Sequence, residues 1–177
     1  DEHAALESEL AQFKGTEATV LTPTGFAANL CVLQALSGDD VAIFSDALNH
    51  ASIVDGCRLA GRSGASVHIY RHGDVEHLDE LLSACSRPRR VIVTDAVFSM
   101  DGDLAPLEDL VAIKRRHEAL LVVDDAHGSL VYGATGAGVA EHLGVSAEID
   151  VHVGTLSKAF GAQGGFVSAS ADWCDWL

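Results

Sequence analysis

Short apolar runs and helix-length amphipathic stretches take turns along the whole chain, and this alternation constrains the fold more than any other feature. Apolar residues at helical spacing, such as Leu6, Leu10 and Phe13, predict helices over 2–14, 26–36, 51–60, 75–85 and 106–117. Between and beyond them, runs at 16–21, 41–45, 66–70, 90–94, 119–124, 150–154 and 165–168 read as strands. The run at 119–124 is almost entirely apolar, as expected of a strand covered on both faces. Strand, helix and strand in repeated succession is the pattern of βαβ units. The expected fold is therefore α/β, a mostly parallel sheet with flanking helices. The first helix is stopped by Gly15 and reads as uncapped at its start.

Composition fits one globular domain. With 48% apolar and 21% charged residues, 177 residues suffice for a sizeable core. Eleven Lys and Arg against 26 Asp and Glu leave a formal charge of −15. That balance argues against gripping nucleic acid through phosphates and against docking on anionic membranes. No window approaches the roughly eighteen uninterrupted apolar residues of a spanning helix, and no basic-then-apolar leader pattern opens the sequence. Cys31, Cys57, Cys85 and Cys174 form no CxxC pair and are expected as reduced, buried thiols. The compartment this implies is a reducing one, taken as the cytoplasm, with a peroxisome or mitochondrion left open. Met100 is the only methionine and Asp1 falls inside a predicted helix, so the chain is expected to be a piece of a longer protein.

In a parallel sheet, ligands bind beyond the carboxyl ends of the strands. Polar clusters fall in those places after Leu21, Ser45, Thr94, Val123 and Val153. At the fourth, Asp124 and Ala126 share one side of an extended backbone, with His127 next along. A carboxylate beside a methyl suits a flat heteroaromatic cation; the plainer alternative is a turn capped by Asp125. At the fifth, Lys158 beside apolar residues would lose its proton more easily and could form a Schiff base, or it is a solvated loop lysine. Thr155 and Ser157 nearby offer phosphate-holding hydroxyls, without the spacing of a nucleotide P-loop. Residues 22–29 form a turn opening into a helix, which is either an anion site or an ordinary helix start. In 46–52, Asn49 or Ser52 would cap a helix and His50 is either catalytic or structural. The acidic segment 95–103 lacks EF-hand spacing, and His68, His72 and His77 share no helical face, so no metal site is expected.

Taken in order, TPTGFAAN, DALNHASI, DAVFSMDGDLAPL, VVDDAHG and GTLSKAFG closely resemble the α-oxoamine synthases, and the match runs over nearly all of the chain. These are pyridoxal-phosphate enzymes of the aspartate-aminotransferase-like fold (fold type I). The resemblance implies that residues 1–177 are the cofactor-binding large domain, with an N-terminal segment and a small C-terminal domain outside it. That C-terminal domain would supply the arginine that grips the amino-acid carboxylate. Lys158 would carry the Schiff base and remove the α-proton, and Asp124 would pair with the pyridinium nitrogen. His127 and Ser99 would hydrogen-bond the phenolic oxygen, with Ala126 packed beneath the ring. His50 would stack on the opposite face and donate a proton to the carbonyl oxygen. The backbone of Gly25 and Phe26, with Thr155, would take the phosphate, and Asp95 matches an acidic position near the cofactor.

The motifs FSMDGDLAPL and DDAHG are most like the member that condenses L-alanine with a pimeloyl thioester, releasing CO2. Members using glycine with acetyl- or succinyl-CoA, or serine with palmitoyl-CoA, are the alternatives, followed by an aminotransferase or carbon–sulfur lyase on the same fold. Arg58 and Arg62, or Arg87, Arg89 and Arg90, are candidates for offsetting the acidic charge toward an anionic acyl-CoA. The resemblance also implies a homodimer in the full-length form, with sites at the subunit boundary. Residues 1–177 by themselves are expected to show no turnover.

Overall fold

The computed structural model describes all 177 residues. In chain order the elements are α1 (Glu2–Lys14), β1 (Ala18–Thr22), α2 (Gly25–Ala35), β2 (Val41–Asp46), α3 (Ala51–Arg62), β3 (Ser66–Tyr70), α4 (Val75–Ala84), β4 (Arg89–Asp95), α5 (Leu107–His117), β5 (Leu120–Asp124), α6 (Val139–His142), β6 (Val151–Thr155), β7 (Gly165–Ala169) and α7 (Ala171–Trp176). One seven-stranded sheet has the order β1-β7-β6-β5-β4-β2-β3. Strands β2 to β6 pair in parallel, while β7 runs antiparallel to both β6 and β1.

The central strands are apolar throughout because each face meets a separate helical layer. In β2, Val41 and Ile43 point into the cluster beneath α2 and α3, and Ala42 and Phe44 point into the cluster beneath α4 and α5. Val91 and Val93 against Ile92 repeat this alternation in β4, and Val122 against Leu121 and Val123 repeats it in β5. The period of two sends neighbours to opposite faces. The expected α/β arrangement, a mostly parallel sheet with flanking helices, is the one observed.

Three details differ from expectation. Helix α1 is capped after all, since the Asp1 carboxylate accepts from Ala4 N–H at 3.0 Å. Helices α6 and α7, of four and six residues, are too short for their apolar spacing to show in sequence. All four cysteines are free thiols, but only Cys57 is buried.

Strand register is what builds the site. Because β4 and β5 run in parallel and in step, Asp95 and Asp124 end side by side on the carboxyl edge of the sheet. Antiparallel β7 brings Gly165 beside Thr155 at the end of β6 and beside Thr22 at the end of β1.

Candidate active site

All ten residues singled out in the sequence line one cleft of about 210 Å³ at this edge: Gly25, Phe26, His50, Asp95, Ser99, Asp124, Ala126, His127, Thr155 and Lys158. They come from five separate strand-end segments. Of the larger hollows, those of about 650, 450 and 420 Å³ contain none of these residues, and one of about 260 Å³ adjoins the cleft and shares His50, Asp95 and Ser99 with it.

Close backbone approach forms one wall. Thr24 caps α2 by accepting from Ala27 N–H at 3.0 Å, and the first turn of a helix leaves N–H groups such as those of Gly25 and Phe26 without intrahelical acceptors. A Cβ on Gly25 would lie 2.9 Å from Thr155 Cβ, and one on Gly165 would lie 2.5 Å from Gly25 N. Only glycines let the positive end of α2 sit against β6 and β7. Thr155 Oγ1 and Ser157 Oγ, 2.8 Å apart, add hydroxyls to that end. The result is an anion cradle.

Asp124 is buried on the floor. Its Oδ2 accepts from Asn29 Nδ2 at 2.5 Å and its Oδ1 from Ala126 N–H at 2.9 Å. Asp95 beside it accepts from the His50 backbone N–H at 2.6 Å. Burial, reinforced by the Asp124 charge, pushes the Asp95 carboxyl up to about 7. Asn49 ties the two strand ends together, donating to Ser45 Oγ and Val93 O and accepting from Asp95 N–H. His50, not Asn49 or Ser52, is the cap of α3, with Nδ1 accepting from Ser52 N–H at 3.2 Å.

Opposite stand Lys158 and His127, with Lys158 Nζ 2.8 Å from His127 Nε2. Burial and then the lysine charge draw the His127 pKa down. The chain has three lysines: Lys14 and Lys114 are each bonded to a carboxylate, and Lys158 has none. Lys158 is exposed, so its distinction is this missing counter-ion and not the desolvation expected from its apolar neighbours.

The support beneath this cleft leaves no signal in the sequence. Asp125 does not cap the turn. Its carboxylate meets Lys14 Nζ at 3.0 Å, and Lys14 also donates to Ser129 Oγ at 2.9 Å and Ala137 O at 2.7 Å. Both side chains of the pair are buried, and a Cβ on Gly128 or Gly138 would collide with the Asp125 carboxylate. The loop after β5, which carries Ala126 and His127, is thus wrapped around an ion pair anchored in α1. On the other side, His72 bridges Asp46 and Asp103 at 3.0 and 2.8 Å and stacks edge-on against Phe98, holding the loop that carries Ser99. The arginine candidates are placed elsewhere. Arg89 pairs with Asp40 and Arg90 donates to the carbonyls of His117 and Cys85, at the amino end of β4. The run of that strand, about 20 Å, separates them from Asp95. Arg58 pairs with Asp55 within α3.

Residues 1–177 match the family described as aminotransferase class I and II. The chain belongs to that family. It is 50% identical, over 97% of its length, to 8-amino-7-oxononanoate synthase of Arabidopsis thaliana and covers 39% of that relative. Among solved structures it superposes on the serine palmitoyltransferase of Sphingomonas wittichii with a TM-score of 0.90 at 42% identity, covering 94% of this chain and 41% of that one. The 8-amino-7-oxononanoate synthase of Francisella tularensis gives a TM-score of 0.84 at 30% identity, covering 99% and 50%. The chain spans about two fifths of the length of the curated relatives it matches.

Proposed function

We propose that this chain is the pyridoxal-phosphate-binding large domain of an acyltransferase that condenses L-alanine with a pimeloyl thioester. The reaction would release CO2 and form 8-amino-7-oxononanoate, a step of biotin biosynthesis. The observation that carries the reading is the single cleft combining an anion cradle, a buried carboxylate, a methyl-floored slot at Ala126 and a lysine without a counter-ion. These fit a phosphorylated pyridine aldehyde group by group: the α2 end for the phosphate, Asp124 for a ring N–H, Lys158 for the aldehyde carbon. Bound there, the cofactor would supply a covalent hold on the substrate amine and an electron sink for the α-carbon.

The chain's own residues have the following parts. Gly25 and Phe26 N–H with Thr155 bind the phosphate, and Asp124, fixed by Asn29 and Ala126 N–H, orients the ring and keeps its nitrogen protonated. His127 and Ser99 hold the phenolic oxygen, and Asp95 sits beside Asp124 in the same cleft. Lys158 takes the α-proton of alanine. His50 donates a proton to the thioester carbonyl oxygen. Phe26, Leu48 and Met100 are large apolar side chains left exposed in and beside the cleft, which supports a homodimer with a second copy over this rim. We infer that turnover needs segments beyond these 177 residues, including an arginine for the substrate carboxylate.

Product analysis of the longer enzyme containing this chain tests the assignment. It should form 8-amino-7-oxononanoate from L-alanine and pimeloyl thioester in preference to condensing glycine with acetyl- or succinyl-CoA, or serine with palmitoyl-CoA. Preference for one of those pairs would overturn the substrate assignment. The 177-residue chain alone should give no detectable product.

A further inference from the structure

We propose that Asn29 and Ser52 are positioning residues that lock His50 as the Nε2–H tautomer, so that its ring presents a hydrogen-bond donor to the cleft. This deepens the functional reading above, in which His50 is a proton donor. Neither residue stands out in sequence: Asn29 closes a helix-opening motif and Ser52 reads as a helix cap.

The assignment follows from counting protons along one chain of contacts. Ser52 N–H has only one possible role, donor, and it reaches His50 Nδ1 at 3.2 Å. Nδ1 of a neutral ring in this position is therefore an acceptor. Ser52 Oγ lies 2.7 Å from the same nitrogen and must contribute its O–H there. Its lone pairs then face Asn29 Nδ2 at 2.9 Å, which donates one of its two hydrogens. The second hydrogen goes to Asp124 Oδ2 at 2.5 Å. Turning the Asn29 amide over would set its oxygen against the Asp124 carboxylate and leave the Ser52 oxygen without a donor, so the amide is held this way round.

That orientation is not the one that suits Asn29 itself. Its Oδ1 is buried with no hydrogen-bond partner, while both N–H groups are committed to the site. The opposite tautomer of His50 is worse for every neighbour: a hydrogen on Nδ1 would face the Ser52 N–H and leave the serine hydroxyl hydrogen without an acceptor. The ring proton is thus confined to Nε2, which makes no hydrogen bond within the chain. One continuous path, Asp124–Asn29–Ser52–His50, links the buried carboxylate on the cleft floor to the imidazole at its rim.

The test is long-range proton–nitrogen correlation NMR on the nitrogen-15-labelled protein without cofactor, above the pH at which the ring titrates, with His50 assigned from a His50→Gln spectrum. The expected pattern is a protonated Nε2 and an unprotonated Nδ1. Ser52→Ala should raise the Nδ1–H population several-fold, and Ser52→Thr, which restores the hydroxyl, should return it to the original value. A dominant Nδ1–H ring in the unmodified protein, or a tautomer ratio indifferent to Ser52→Ala, would overturn the proposal. Cofactor binding is measured separately. Its absence would sink the functional reading and leave the tautomer result standing, and the converse holds for an Nδ1–H ring.

Discussion

Replacing Lys14 by methionine removes one partner of an ion pair whose two side chains are only 1% and 2% exposed. At 3.0 Å, and with an effective dielectric constant of about 20, the attraction lost is about 5 kcal/mol. Ser129 Oγ and Ala137 O lose their donor as well. Burial nevertheless raises the Asp125 pKa despite the lysine beside it, so desolvation of the carboxylate outweighs the attraction. The pair as a whole therefore adds little net stability, and the damage in Lys14→Met comes from stranding a buried carboxylate. Breaking such a pair costs about 3–5 kcal/mol, which for a chain of this size lowers the melting temperature by about 10 °C. Lys14→Met/Asp125→Asn removes both charges and should recover more than half of that loss. Thermal and urea unfolding at pH 7 measure it. A single variant within about 1 kcal/mol of the original, or a double variant no more stable than the single, would refute the reasoning.

Two further outcomes follow from the cleft. Asp95 has a folded pKa near 7, raised by burial and by Asp124, against about 3.9 in the unfolded chain. The folded state therefore holds the extra proton between these values. Its contribution to stability is full below about pH 4 and is lost as the pH rises toward 7. The unfolding free energy of the original minus that of Asp95→Asn should fall as the pH rises across that window and stay flat above it; equal slopes for the two proteins, or a rise, would contradict the shift. Gly165→Ala forces a Cβ to within 2.5 Å of Gly25 N and must displace the start of α2. Cofactor affinity, read by titration, should fall at least tenfold, about 1.4 kcal/mol, and an unchanged affinity would remove the anion cradle from the account.

The sheet was legible because its signals are local, and the ten cleft residues were legible through the resemblance of five ordered segments to a known family, each segment by itself leaving a plainer reading open. A short apolar run marks each strand, and the carboxyl ends of parallel strands fall on one functional edge. What escaped depends on neighbours distant in the chain. Lys14 and Asp125 are 111 residues apart, and nothing in the spacing of either shows that they meet. Asn29 looked like the tail of a helix start until packing of α2 over β6 and β7 set its amide on Asp124. The arginines were candidates by charge alone: Arg89 and Arg90 open β4 and so sit at its amino end, away from the cleft, and Arg58 and Arg62 lie on α3. The stop at Gly15, by contrast, was readable: it takes a φ of 70°, a left-handed cap that glycine adopts without strain.

The most direct test of the account is to incubate the protein with pyridoxal phosphate, reduce it with borohydride and map the modified peptide by mass spectrometry. The account predicts one cofactor per chain, attached to Lys158, with Lys14 and Lys114 left unmodified in their carboxylate contacts. Attachment to either of those lysines, or no saturable attachment at all, would contradict it.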